Sequence, residues 1–270
     1  MNTTKEVEIY RIDVKAQKLE RKTDYVAEET PLHIFLNQTH YVTILCLPTL
    51  LKELAIGNLL SEGLLKTTEE IQEIRLKKGG KCQIRLKPEV NVEKRISVSQ
   101  PFARLVVSAC GSPDYWPLSK LIDRLELTKM PLNLKVEAKT VLESVRRLNT
   151  LAETFRKTGG VHVSALYSAE GELQTYAEDV GRHNAVDKII GVAALKKLEL
   201  SKCFIASSGR LTGDIVVKAA RMKVPIIASM TAAISSGVEA AQRTGLTLVS
   251  FARGNRLNVL TYPERILISG

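Results

Sequence analysis

Eleven consecutive residues, Glu178-Asp179-Val180-Gly181-Arg182-His183-Asn184-Ala185-Val186-Asp187-Lys188, gather three acids, two bases, a histidine and an asparagine around one glycine. Strand-like residues precede them and helix-like residues follow. A turn this polar, placed where a strand hands over to a helix, is expected to bind something, because a helix N-terminus presents backbone N–H groups without intrahelical partners. Asp179, Gly181, Arg182, His183 and Asn184 are therefore candidate binding residues. His183 is open to a catalytic or a structural role, Asp179 to ligand contact or helix capping, and Asp187 to pairing with an Arg or Lys.

Three further strand exits carry similar chemistry. The first is Ser207-Ser208-Gly209-Arg210-Leu211-Thr212-Gly213-Asp214, with Ser208, Gly209 and Arg210 as its candidates. Ser229-Met230-Thr231-Ala232-Ala233-Ile234-Ser235-Ser236 is the next, and Phe251-Ala252-Arg253-Gly254-Asn255-Arg256 the last. Glycines admit close backbone approach, hydroxyls and amides bond phosphate, and arginines grip it bidentately. Together the exits predict a pocket for a phosphorylated or dinucleotide-like ligand. No Gly-x-x-x-x-Gly-Lys-Ser/Thr loop, Gly-x-Ser-x-Gly elbow or zinc-deaminase pattern occurs in the chain.

Of the four cysteines, Cys46 and Cys203 sit in apolar strand-like runs and Cys82 in Lys81-Cys82-Gln83-Ile84-Arg85. Their number and spacing fit neither a disulfide framework nor a zinc site. Cys110 lies in Ser108-Ala109-Cys110-Gly111-Ser112-Pro113-Asp114, a loop by composition, and is the candidate nucleophile. A thiolate needs access and nearby positive charge, and the net charge of this 270-residue chain is +10.

The elements needed to position these residues follow from patterning. Hydrophobic residues at 44% and charged residues at 25% fit a globular protein. No apolar run approaches the roughly 18 residues of a membrane span. Met1–Glu20 lacks an apolar signal core, which predicts a cytoplasmic protein. The basic excess favours anionic partners. The bases are dispersed and aromatics are only 5%, so nucleic acid is not expected.

Pro31–Leu36 and Tyr41–Cys46 around Asn37-Gln38-Thr39 predict a hairpin, followed by an amphipathic helix through Leu50, Leu51, Leu54, Ala55, Leu59 and Leu60 that stops near Gly63. Strands are expected around 73–78 and 82–87, and helical spacing over 138–157 ends at Gly159-Gly160. From Val161 onward strands and helices alternate: strands at 161–167, 172–178, 203–207, 224–228, 246–251 and 257–260, and helices at 182–197, 212–222 and 235–243. The expectation is an α/β fold, an α/β/α layered part over 159–270 that binds the cofactor. Before it come a smaller mixed α+β lobe over 28–158 that carries the Cys110 loop, and an extension over 1–27.

The eleven-residue run resembles the signature of the formate dehydrogenase accessory sulfurtransferases, the FdhD family. Ser208-Gly209-Arg210, Leu246–Val249 running into Phe251–Arg256, Tyr262-Pro263-Glu264-Arg265, Glu29-Thr30-Pro31-Leu32 and Ala55–Gly63 agree with it. The resemblance implies a cytidine-deaminase-like fold without the deaminase metal site. It implies a cytoplasmic homodimer that accepts sulfur as a persulfide from a cysteine desulfurase. The sulfur would pass to a bis(molybdopterin guanine dinucleotide) molybdenum cofactor for formate dehydrogenase, with a guanine nucleotide as a related ligand. The family's Cys-Gly-x-Cys loop matches Cys110-Gly111-Ser112-Pro113, where Pro113 replaces the second cysteine, and Cys110 corresponds to either family cysteine. The alternative is a non-catalytic chaperone that binds and delivers the cofactor.

Overall fold

The structure, a computed structural model, describes residues 2–96 and 127–268. Cys110 and its loop therefore lie outside the described residues. The 1–27 stretch, expected only as an extension, forms a hairpin of β1 (Thr4–Asp13) and β2 (Lys18–Ala27), paired antiparallel along its whole length. Cross-strand ion pairs, Arg11 with Asp24 at 3.1 Å and Arg21 with Glu8, hold its largely exposed faces.

The predicted hairpin is β3 (Thr30–Leu36) and β4 (Thr39–Cys46). Its turn residues Asn37 and Gln38 both have positive φ, 45° and 74°, the left-handed pair that a tight two-residue hairpin turn requires. With β5 (Ile71–Lys77) and β6 (Lys81–Leu86) it builds a four-stranded sheet in the order β4-β3-β6-β5. Leu32, Ile34, Leu36, Cys82, Ile84 and Leu86 alternate onto one face and bury there.

That face is covered by α1 (Leu51–Ser61). The sequence predicts this helix to be amphipathic, whereas it is buried on nearly every side, Leu51, Leu54, Ala55, Ile56, Gly57, Leu59, Leu60 and Ser61 included. The reason is that a second layer sits on its other flank.

Further along come α2 (Ala138–Leu151) and α3 (Glu153–Thr158), the latter closed by Gly159 at φ 66°. Next come β8 (His162–Ser168) and β9 (Leu173–Asp179), joined through the Gly171 turn. The remaining elements are α4 (Arg182–Leu195), β10 (Cys203–Ser207), α5 (Gly213–Arg221), β11 (Ile226–Ser229), α6 (Ser235–Thr244), β12 (Thr247–Arg253) and β13 (Arg256–Val259). Short β7 (Val136–Glu137) pairs parallel with β14 (Ile266–Leu267).

The six-stranded sheet has the order β13-β12-β11-β10-β8-β9. Its strands alternate between two apolar faces. Val163, Ala165, Tyr167, Phe204, Ala206, Ile226, Ala228 and Val249 pack with Val141, Val145 and Leu148 of α2. Leu166, Ile205, Ile227 and Leu248 pack with α4, α5 and α6. Burial on both faces explains the continuous apolar strands, each fully buried aliphatic or Phe side chain contributing about 1.5–3 kcal/mol. Helix α2 thus lies on this sheet although it precedes Gly159. Among the described residues, no helix is long and apolar enough to cross a membrane.

Candidate functional site

Strands β10, β11 and β12 run parallel, while β8 is antiparallel to β10 and β9 antiparallel to β8. The carboxyl ends of β9, β10, β11 and β12 and the amino end of β8 therefore share one sheet edge. All four predicted exits lie on it, where α/β sheets hold their ligands. They form a row, because β10 and β12 are separated by β11 and their exits stand roughly 10 Å apart.

The exits are stitched together. Phe251 N donates to Thr231 O at 3.0 Å, Leu211 N to Ala232 O at 3.0 Å, and Ser229 Oγ to Gly209 O at 2.7 Å. A Cβ on Gly209 would stand 2.8 Å from Cβ of Arg182. Glycine is needed there because the start of α4 leans onto the Ser-Gly-Arg loop. Ser208 closes the loop onto β8: its N donates to Val163 O and its Oγ accepts from Val163 N, each at 2.9 Å.

Within the signature, the structure separates the candidates. Asp179 is completely buried. Its Oδ1 accepts from Gly181 N at 3.0 Å and from Asn184 Nδ2 at 2.8 Å, while its Oδ2 accepts from Leu47 N and pairs with Lys188 Nζ at 2.6 Å. Every position around that carboxylate is taken by protein, so Asp179 holds the fold instead of contacting a ligand. Asn184 Nδ2 also donates to Leu45 O, and Lys188 donates to Leu47 O and Glu178 O. Asp187 is likewise buried. It accepts from Ser61 Oγ at 2.6 Å, Asn58 Nδ2 at 3.1 Å and Lys218 Nζ at 2.8 Å, and Lys218 pairs with Glu62 at 2.8 Å. Burial alone would raise the Glu62 carboxyl, but Lys218 beside it holds it below its ordinary value.

Arg182, His183 and Arg210 remain at least partly exposed at the edge. Arg182 Nε is buried without a hydrogen-bond partner, and no carboxylate among the described residues pairs with Arg182 or Arg210. His183 Nε2 bonds Asp214 at the start of α5, where Asp214 also takes the Thr212 hydroxyl and Ile215 N. Burial opposes ionisation of Asp214, yet His183 and these donors hold its carboxyl well below the usual range. His183 therefore has a fixed partner.

At the far end, Phe251 has φ 49°, a strained value for a large side chain, beside a bulge between Ser250 and Arg253. The Arg253 guanidinium stacks 5.1 Å from its ring. Arg253 and Arg256 are exposed and directly opposed in the β12–β13 ladder. Like charges so placed repel unless an anion lies between them. Gly254 and Asn255 are clasped by Arg146 of α2. Ala252, predicted to bind cofactor, instead points into the apolar layer under α2 at 1% exposure.

Two edge residues escaped the sequence reading. Asp214 stands in its exit as one loop acid, with nothing in the sequence to mark it as the partner of His183. His162, first residue of β8, sits opposite Asp179 with Nδ1 3.5 Å from Ser208 Oγ. Only its place just after Gly159-Gly160 signals it.

The three described cysteines, Cys46, Cys82 and Cys203, are buried. Burial pushes the Cys46 thiol up to about 12 and the Cys82 thiol to about 11, and raises Cys203. Tyr262-Pro263-Glu264-Arg265 is structural: fully buried Arg265 donates to Thr247 Oγ1, Met130 O and Pro131 O.

Known proteins resemble this chain over nearly its full length. The FdhD/NarQ family model matches residues 27–267. A sulfur carrier protein FdhD from Sulfurisphaera tokodaii is 32% identical over 267 residues, covering 97% of this chain and 99% of its own. One from Sulfolobus acidocaldarius is 36% identical over 244 residues, covering 90% and 91%. A crystal structure from Desulfotalea psychrophila, described as a formate dehydrogenase accessory protein, aligns with a TM-score of 0.79 at 30% identity, covering 98% of this chain and 100% of that one. By sequence and by fold over nearly its full length, the chain is a member of the FdhD/NarQ family.

Proposed function

We propose that this protein is a cytoplasmic sulfur carrier that serves formate dehydrogenase, with Cys110 as its carrier thiol. The reading rests on the relatives named sulfur carrier protein FdhD and on one observation that narrows the chemistry. Three of the chain's four thiols are buried and held protonated, and only a thiolate attacks sulfur at a useful rate. Cys110 is the thiol left for the task.

In the first step the Cys110 thiolate attacks the outer sulfur of a persulfide R–S–SH on a cysteine desulfurase. A new S–S bond forms, the old one breaks, and R–S⁻ leaves to take a proton from solvent. Cys110 then bears the persulfide. Because Pro113 stands where the family motif has its second cysteine, no internal disulfide in that loop discharges it. The acceptor is a bis(molybdopterin guanine dinucleotide) molybdenum cofactor bound as substrate. The row of cationic exits supports this, since Arg182, Arg210, Arg253 and Arg256 have no carboxylate partner among the described residues and suit pyrophosphate.

The same row favours a second reading, a chaperone that binds the cofactor and delivers it without sulfur chemistry. Mass spectrometry after incubation with cysteine and a desulfurase separates the two. Sulfur transfer gives an adduct of about 32 Da that is lost in Cys110→Ala. An adduct on Cys82, or formate dehydrogenase maturation undiminished by Cys110→Ala, overturns the carrier reading.

A further inference from the structure

His162 is one of four histidines in the chain, and it opens β8, between the β9 and β10 exits on the shared edge. Asp179 faces it across the β8–β9 ladder. Arg182 and His183 at the start of α4, and Arg210 in the loop after β10, lie near enough for their positive charge to act on it. Ser208 holds it in place, bonding the adjacent Val163 N and lying 3.5 Å from His162 Nδ1. The acids of this neighbourhood are already engaged, Asp179 by Lys188 and Asp214 by His183. A half-buried imidazole thus stands among cations with no carboxylate of its own.

We propose that His162 is a proton-linked phosphate contact, so that the edge takes up a proton when it binds the diphosphate of a guanine nucleotide. The inference rests on the anionic-ligand part of the proposed function and not on Cys110. Its physical basis is the balance at one side chain. Burial first, then the positive charge of Arg182, His183 and Arg210, pushes the His162 imidazole below its ordinary value, and Asp179 opposes them. At neutral pH in the empty protein it is therefore neutral. A bound phosphate offsets those cations and favours the imidazolium, which donates a charge-assisted hydrogen bond to it. By linkage, uptake on binding means affinity that rises as pH falls. An imidazole raised by about one unit gains up to tenfold.

The test is calorimetric titration of the full-length protein with GDP between pH 5.5 and 8, in buffers of different ionisation enthalpy, for wild type and His162→Gln. The nucleotide's phosphate and the other three histidines are common to both proteins, so the difference isolates His162. Wild type takes up more protons per GDP, and its affinity advantage over the variant grows about three- to tenfold from pH 8 to 5.5. Pyrophosphate reproduces the uptake and guanosine does not. Proton NMR of the wild-type histidine ring signals gives a reading independent of the variant, with the His162 midpoint moving up when GDP is added. Equal uptake in the two proteins, or an unmoved His162 midpoint, overturns the inference while the pocket stands. GDP failing to bind wild type at pH 6 overturns the pocket and the inference together. Loss of sulfur transfer in Cys110→Ala bears on neither.

Discussion

Lys218→Met tests whether the buried charge cluster fastens α1 to α4 and α5. Lys218 Nζ lies 2.9 and 2.8 Å from the two Asp187 oxygens, 2.8 Å from Glu62 Oε1 and 2.9 Å from Ser61 Oγ. Lys218 is 4% exposed and Asp187 1%. Methionine keeps the stem's volume and removes the charge, leaving Asp187 with Asn58 and Ser61 as donors and Glu62 with the positive charge of Arg221 beside it. Breaking a buried pair in this way costs about 3–5 kcal/mol, against a typical total of about 5–15. The expected fall in Tm is roughly 10 °C. The sign with pH is fixed by the shifts. In the wild type, Lys218 is raised by Asp187 and Glu62 despite burial, so its contribution is complete below its ordinary value and is lost only as pH rises through the raised one. Glu62 is lowered, so its contribution is complete above its ordinary value and is lost as pH falls through the lowered one. Without Lys218, the largest opposition to burial is gone and Glu62 takes its proton at higher pH than in the wild type, which relieves part of the strain. Urea unfolding followed by circular dichroism from pH 8 to pH 5 should show the gap between wild type and variant narrowing as pH falls. A loss below about 1 kcal/mol at pH 7, the range of exposed pairs, or a gap that does not change with pH, refutes the reasoning.

Gly191→Ala should also destabilise, because its Cβ would fall 1.9 Å from Glu53 O, backbone that cannot step aside; overpacking of this kind costs about 1–3 kcal/mol or more, and thermal unfolding reads it. Alkylation of the native protein at pH 8 followed by peptide mapping should leave Cys46, Cys82 and Cys203 unmodified, and labelling of Cys46 comparable to a free thiol would contradict its burial. Arg253→Ala should weaken GDP binding and flatten its salt dependence with little change in stability, since its guanidinium is exposed and stacks only on Phe251. Unchanged affinity in low salt would remove the β12 exit from the site.

Much of the architecture was written locally. The Asn37-Gln38 turn, the Gly171 turn and the Gly159 stop are chain-local conformations, and the strands from β8 to β13 announce themselves by apolar runs between helices. The sharing of one edge by four exits follows from that alternation. What was hidden depends on distant partners. The β1–β2 hairpin has mostly exposed, charged strands, so no apolar alternation marks it. Helix α1 reads as amphipathic because Ser61, Glu62 and Asn58 look like a solvent face, whereas they bond Asp187, Lys218 and Arg221 across the interface. Ala252 looked like part of a binding loop by adjacency to Arg253, but strand alternation turns it inward. Asp179 seemed equally able to cap or to bind until Leu47 and Lys188 were found on its oxygens.

These contacts explain why one short run carries so many polar residues. Asn184, Asp187, Lys188 and Gly191 recur at spacings of three and four, which places them on one stripe of α4. Each meets the segment from Leu45 to Ser61. Asn184 bonds Leu45 O, Lys188 bonds Leu47 O and Thr49 Oγ1, Asp187 takes Asn58 and Ser61, and Gly191 clears Glu53 O. A Cβ on Gly57 would stand 1.8 Å from Asp187 O, so the approach is as close from the α1 side. The polar stripe is therefore a docking face between helices, and its charges are there because they are paired. Arg182 and His183 fall off that stripe, at the helix start, where Arg182 meets Gly209 and His183 meets Asp214. One run of sequence thus does two jobs divided by helix geometry: its buried stripe fixes α1 and the chain leading into it against α4, and its first residues form the cationic edge. Fixing α1 also fixes where α4 begins, so the position of Arg182 at the edge is set by contacts of Asn184, Asp187 and Lys188.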